Sequence, residues 1–254
     1  MSSLWLSGLV AAIVFAAGVL GHEVQRRVPE SWTTGGSRDA IGAVSGLIAL
    51  LLALVLGLLI WTAYGVYQTQ SATMQALALN LYKLESALKE YGPETKDFRN
   101  DLDVGVKRAI AETWGDRDRK DFVVEVFRQA LSGYKVREAY LNSLKPTTDA
   151  QKLALAQAKA ASPPLSQARA QMALALINPI SYPLVFLVAA WATALFFAYG
   201  LMTKRHPMTL LTFAVGAIGV ASAMYLILGF SDPYVGLFQL TPAPIEAAMR
   251  AAAD

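Results

Sequence analysis

Four long apolar runs, at residues 4–21, 41–67, 183–202 and 208–230, punctuate the chain, and one long mixed segment separates the second from the third. Each run has about 18 residues or more, enough for a helix to cross a hydrocarbon core of about 30 Å. The first has no Lys or Arg before it and the pair Arg26-Arg27 after it. A secretory signal peptide has the opposite charge order, so this run is read as a retained span. The second carries no charge between Asp39 and Lys83, and Trp61, Tyr64 and Tyr67 suit the membrane interface. Only Lys204-Arg205-His206-Pro207 lies between the last two, which predicts a tight antiparallel hairpin.

In the mixed segment the apolar period changes to that of amphipathic helices. Met74, Leu77, Leu81, Leu84, Leu88 and Tyr91 recur at spacings of three and four, an a/d seam continuous with the second span. Such a seam serves an oligomer axis, a partner site or an internal bundle face. Gly92-Pro93-Glu94 ends it, with Gly suited to the cap and Pro to the next helix start. A helix over about 94–114 places Phe98, Leu102, Val106, Ile110 and Trp114 on one face, and another over about 118–134 buries Phe122, Val123, Val126, Phe127, Ala130 and Tyr134. After a turn at 145–148, an alanine-rich stretch over 149–161 is predicted to break at Ser162-Pro163-Pro164, before a last helix leads through Met172 and Leu176 into the third span. The predicted fold is an all-α integral membrane protein with four transmembrane helices. Its parts are spans one and two (1–68), an inserted extramembrane helical domain (69–182), the hairpin of spans three and four (183–230) and an interfacial tail (231–254).

Small residues follow the second span at near one-turn spacing: Gly42, Ser45, Gly46, Ala49, Ala53 and Gly57. Gly219 and Ala223 repeat the device in the fourth. Such stripes let helix backbones approach closely where lipid supplies no hydrophobic drive. The stripe on the second span is accordingly a candidate pore lining or helix-packing face. No Asp, Glu, Lys or Arg falls inside a span, which argues against a proton-coupled carrier.

Composition sharpens the picture. The chain is 55% hydrophobic and 16% charged, where a soluble domain carries about 25%. Outside 69–182 the only basic residues are Arg26, Arg27, Arg38, Lys204, Arg205 and Arg250. The first five fall in loops one and three, which four spans place on one side. The positive-inside rule assigns that side to the cytoplasm and residues 69–182 to the extracytoplasmic side of a bacterial inner membrane. Charges in the mixed segment alternate in sign and form no basic stripe, so nucleic acid is not an expected partner. There is no cysteine, and His22 and His206 stand alone, so no metal or cofactor is expected. No nucleophile elbow, P-loop or dinucleotide turn occurs, and an enzyme is not the expected reading.

Several runs carry a family likeness: Arg38-Asp39-Ala40-Ile41-Gly42, Leu54-Val55-Leu56-Gly57-Leu58-Leu59, Ala63-Tyr64 with Tyr67, Tyr91-Gly92-Pro93-Glu94, and Asp232-Pro233-Tyr234-Val235-Gly236-Leu237. With the order of spans, they resemble the bestrophin-like bacterial membrane proteins, a domain family of unknown function. Acidic residues are expected there just before the last motif, where this chain has Gly229 and Ser231. The resemblance implies a relation to bestrophins, pentameric anion channels with four spans per subunit. The expectation is therefore a homo-oligomer in lipid, passing inorganic anions along the second span, with Arg26, Arg27, Arg38, Lys204 and Arg205 at its inner mouth and Met74, Leu77, Leu81, Leu84 and Leu88 as a candidate oligomer seam. The alternative is a non-conducting scaffold or envelope sensor acting through its helical domain.

Overall fold

The computed structural model describes residues 3–27, 35–114, 119–177, 182–203, 207–234 and 236–253. The helices are α1 (Ser3–Gln25), α2 (Gly36–Tyr91), α3 (Lys96–Thr113), α4 (Arg119–Ser143), α5 (Asp149–Ile177), α6 (Tyr182–Met202), α7 (Pro207–Ser231) and α8 (Ala243–Ala253). Among the described residues there is no strand. Helices α1, α2, α6 and α7 are long and apolar enough to cross a membrane. Two units divide the chain, the first made of residues 1–66 and 180–231 and the second of 67–179 and 232–254.

The first unit holds the apolar helices. Val10 and Val14 of α1, Leu52 and Leu59 of α2, Val185, Val188, Ala192 and Leu195 of α6, and Ala217, Met224 and Ile227 of α7 form its core. Glycine sets the α1–α6 crossing. A Cβ placed on Gly21 would lie 2.2 Å from the Phe197 carbonyl oxygen, and one on Gly200 2.3 Å from that of Gly18. The two backbones therefore touch, a contact available only where side chains are missing. By contrast Gly219 is exposed and a Cβ there would meet nothing within 4 Å, so the packing expected at Gly219 is not used inside the chain.

The second unit is built on the C-terminal part of α2. Its core joins Met74, Leu77, Leu81, Leu84, Leu88 and Tyr91 to Leu141 of α4 and to Ala154, Ala158, Ala161, Leu165, Ala168 and Met172 of α5. Phe98, Leu102, Val106, Ile110 and Trp114 pack against it together, the single face that their spacing predicts for α3. On α4, Val126 and Ala130 are buried and Tyr134 is half-buried, whereas Phe127 is exposed. Phe122, Val123 and Leu176 lie outside the residues whose side chains are described. Gly92 ends α2 with φ 137°, a conformation that side-chain-bearing residues rarely adopt. Thr95 then locks the turn by donating from Oγ1 to the Leu88 carbonyl at 2.6 Å. Arg99 ties α3 to α2 through its Nε and Glu85 Oε1, 2.6 Å apart.

One expectation fails here for a physical reason. Helix α5 does not break at Pro163-Pro164 but runs through them. Each proline removes an N–H that would bond four residues back. The carbonyls left over belong to Lys159 and Ala160, on the exposed side of α5, where water can take them. The buried seam at Ala154, Ala158, Ala161, Leu165, Ala168 and Met172 continues across the prolines and holds the helix together. The tail after α7 also packs inward. Tyr234, Leu240 and Ile245 enter the core of the second unit, and Ala248 and Met249 pack against it.

Candidate functional site

The membrane half of α2 is the most apolar of the four candidate spans and the least covered by its own chain. Only 17% of its most apolar window is buried, against 33% for α1 and α6 and 22% for α7. What is buried lies on one narrow line, Ser45, Leu52, Leu59 and Ala63, at helical spacings of seven and four. A broad arc of Val44, Leu47, Leu50, Leu51, Leu54, Leu58 and Trp61 is exposed.

The small-residue stripe runs along the boundary between these faces. Gly42, Ser45 and Ala49 face the chain's own helices: Gly42 lies against the Met202 side chain, Ser45 is buried, and Ala49 packs on the core. Gly46, Ala53 and Gly57 are not: Gly46 and Ala53 are exposed, and a Cβ on Gly46 or Gly57 would meet nothing within 4 Å. Half of the stripe is thus used within one chain and half is open.

Three of the expected basic residues come together at one end of the first unit. The Gly21–Gly200 crossing, the Gly42–Met202 contact and a long bond from Arg38 Nη2 to the Met202 carbonyl (3.5 Å) bring the end of α1, the start of α2 and the end of α6 to that end. Arg26 and Arg27 follow α1 there, both leaning on Glu23, at 2.7 and 3.7 Å. Lys204, Arg205 and His206 lie outside the described residues. No trio of potential metal ligands exists among the described residues.

The heptad seam is occupied within the subunit. Met74, Leu77, Leu81, Leu84 and Leu88 are 2, 8, 2, 0 and 1% exposed within a single chain. Within the single chain these side chains already belong to the core that α2 shares with α4 and α5. The heptad pattern does not tell these uses apart, because α2 looks the same from its own sequence whether the facing helix is α5 or a second α2.

The second unit also holds groups that local sequence patterns do not mark. Tyr234 of the Asp232-Pro233-Tyr234 motif is anchored in the core: its buried hydroxyl donates to Gln70 Oε1 at 2.7 Å, and its ring meets Trp114 edge-on at 5.7 Å. Trp114 Nε1 donates to the Leu240 carbonyl at 2.6 Å, and the Leu240 N–H closes the turn on the Pro233 carbonyl at 2.7 Å. Burial raises the Tyr234 pKa well above its ordinary value. Arg137 and Arg169 line a cavity of about 540 Å³ in the same unit. Burial and the neighbouring Arg169 charge lower the Arg137 pKa to about 10, and burial lowers that of Arg169. Arginines within a mixed-charge segment read as solvated, so nothing in their local pattern sets these two apart.

The Bestrophin-like domain family model matches residues 12–245. No curated protein matches by sequence. A solved point mutant of a bacterial bestrophin homolog from Klebsiella pneumoniae shares 14% identity at a TM-score of 0.63, over 99% of this chain and 98% of that one. Another structure of a bacterial bestrophin homolog from Klebsiella pneumoniae, phased on zinc, matches at 14% identity and TM-score 0.59, over 98% of this chain and 96% of that one. At such identities the likeness is one of fold, whereas the family match spans nearly the whole sequence: the chain belongs to the Bestrophin-like family.

Proposed function

We propose that the protein is a subunit of a homo-oligomeric anion channel of the bacterial inner membrane, with the pore lined by the first half of α2. The observation that carries this reading is the mismatch on α2: the most apolar span is the least covered by its own chain, with the Gly46, Ala53 and Gly57 side of its stripe open. Copies arranged about an axis would cover that face, and small residues there would let the helices crowd a narrow apolar pathway. Arg26, Arg27 and Arg38 would repeat around the axis as basic rings that raise the local anion concentration at one mouth. That mouth is cytoplasmic by the positive-inside rule, which leaves residues 69–182 on the extracytoplasmic side of the membrane as an inserted helical domain.

Purified protein in a planar bilayer under a chloride gradient tests the reading, with Gly57→Leu and Leu54→Ala as pore variants. Unitary currents that reverse near the chloride potential and change size in either variant support it. Silence from folded protein across voltage and pH removes it and leaves the non-conducting scaffold.

A further inference from the structure

The cavity in the second unit has an unusual charge balance. Its walls are mostly apolar, with Leu77 and Leu81 of α2, Val106 and Ile110 of α3 and Leu165 of α5 among them. Three arginines touch it: Arg108 of α3, which is exposed, and the more enclosed Arg137 of α4 and Arg169 of α5. Arg137 is 8% exposed and has only hydroxyls for partners: its Nε donates to Ser162 Oγ at 3.4 Å and its Nη2 to Ser166 Oγ. Among the described residues neither Arg137 nor Arg169 has a carboxylate within ion-pair distance. Asp101 and Glu125 also touch the cavity, but Asp101 is exposed and Glu125 is engaged by Arg128 and Gln129. Glu112 acts on Arg169 only through its field, while its Oε2 accepts from Gln129 at 3.1 Å.

Two like charges held in a largely apolar pocket without a paired carboxylate are costly, because burial strips water from each and no ion pair makes up the lost solvation. Serine hydroxyls offset only part of that cost. A guanidinium presents a planar fork suited to two carboxylate oxygens at once. The size suits a small ligand, since such pockets hold about 300–1,000 Å³. We propose that this cavity binds an aliphatic carboxylate of medium chain length, its head on Arg137 and Arg169 and its tail along the leucine wall. The site lies wholly within the second unit and stands independently of whether the protein conducts.

The test is calorimetric titration of octanoate into the full-length protein in neutral-lipid nanodiscs, with empty nanodiscs as the partition blank. Saturable binding above the blank is expected, and Arg169→Gln and Arg137→Gln should each weaken it at least tenfold. Octanol, which keeps the tail, and acetate, which keeps the head, should each bind at least tenfold more weakly than octanoate. Circular dichroism checks that the variants fold, and the less buried Arg169→Gln carries the test if Arg137→Gln does not. Octanoate heats equal to the blank overturn the proposal. So does an unchanged affinity in folded Arg169→Gln, or octanol or acetate binding as tightly as octanoate.

Discussion

Gly200 of α6 faces Gly18 of α1 so closely that a Cβ on Gly200 would sit 2.3 Å from the Gly18 carbonyl oxygen and 2.7 Å from the His22 nitrogen. Both obstacles are backbone, so neither can rotate away. Gly200→Ala must therefore part α1 from α6, and overpacking of this kind costs about 1–3 kcal/mol. Gly46→Ala meets nothing within 4 Å inside the chain. A lower thermal transition for Gly200→Ala in detergent, with Gly46→Ala unchanged in unfolding at the subunit level, is the expected pair of results. If copies do pack along α2, only the Gly46 variant should alter subunit number on cross-linking.

A second prediction concerns the seam. Leu84 is fully buried among α2, α4 and α5 side chains. Leu84→Ala should destabilise the second unit by about 2–5 kcal/mol, the range for a leucine removed from a packed core. Hydrogen exchange should rise throughout residues 74–91 and 154–172, while the subunit number stays fixed. An oligomer that dissociates with its helical unit still protected would return the seam to a place between chains.

Spans and helices were legible because both rest on local periodicity: lipid demands a long apolar run, and an amphipathic face announces itself at three- and four-residue spacing. The face that Phe98 to Trp114 present follows directly from that rule. What a face packs against is not local. The stripe from Gly42 to Gly57 divides between inner and open sides, although every member is small and apolar or nearly so. The Gly18–Gly200 approach joins residues far apart in sequence, and neither position stands out on its own helix. Arg137 and Arg169 were hidden for the same reason, since the apolar pocket around them is assembled from separate elements.

Pro163 provides a test of how packing overrode a strong local signal. In an exposed helix interior, proline is about 3 kcal/mol worse than alanine, through the missing N–H and the clash with the carbonyl four residues back. Pro163 is exposed and its loss removes no core contact. Pro163→Ala restores a donor for the Lys159 carbonyl, while the freer unfolded chain takes back about 0.4–1 kcal/mol. A net gain of about 2 kcal/mol is expected, seen as a higher thermal transition with an unchanged fold. A loss would mean that the prolines set a bend in α5 that the seam requires.

Tyr234 should leave its mark on the alkaline limb of stability. Burial raises its pKa from the ordinary 10.0, so the folded chain keeps the phenolic proton where the unfolded chain releases it. Below pH 10 both states hold the proton and the full stabilisation is present. As pH climbs past the unfolded value, the unfolded state binds fewer protons than the folded one, and stability falls with each further rise. Tyr140 shifts in the same direction, chiefly through burial, and adds to the slope. Tyr234→Phe removes one contributor but also the bond to Gln70 Oε1, leaving that buried acceptor without its donor at a cost of about 1–3 kcal/mol. The variant should therefore melt lower than the parent at pH 7 and lose less on going to pH 11. Thermal unfolding at both pH values reads the two effects separately; equal losses would show that another group governs the alkaline limb.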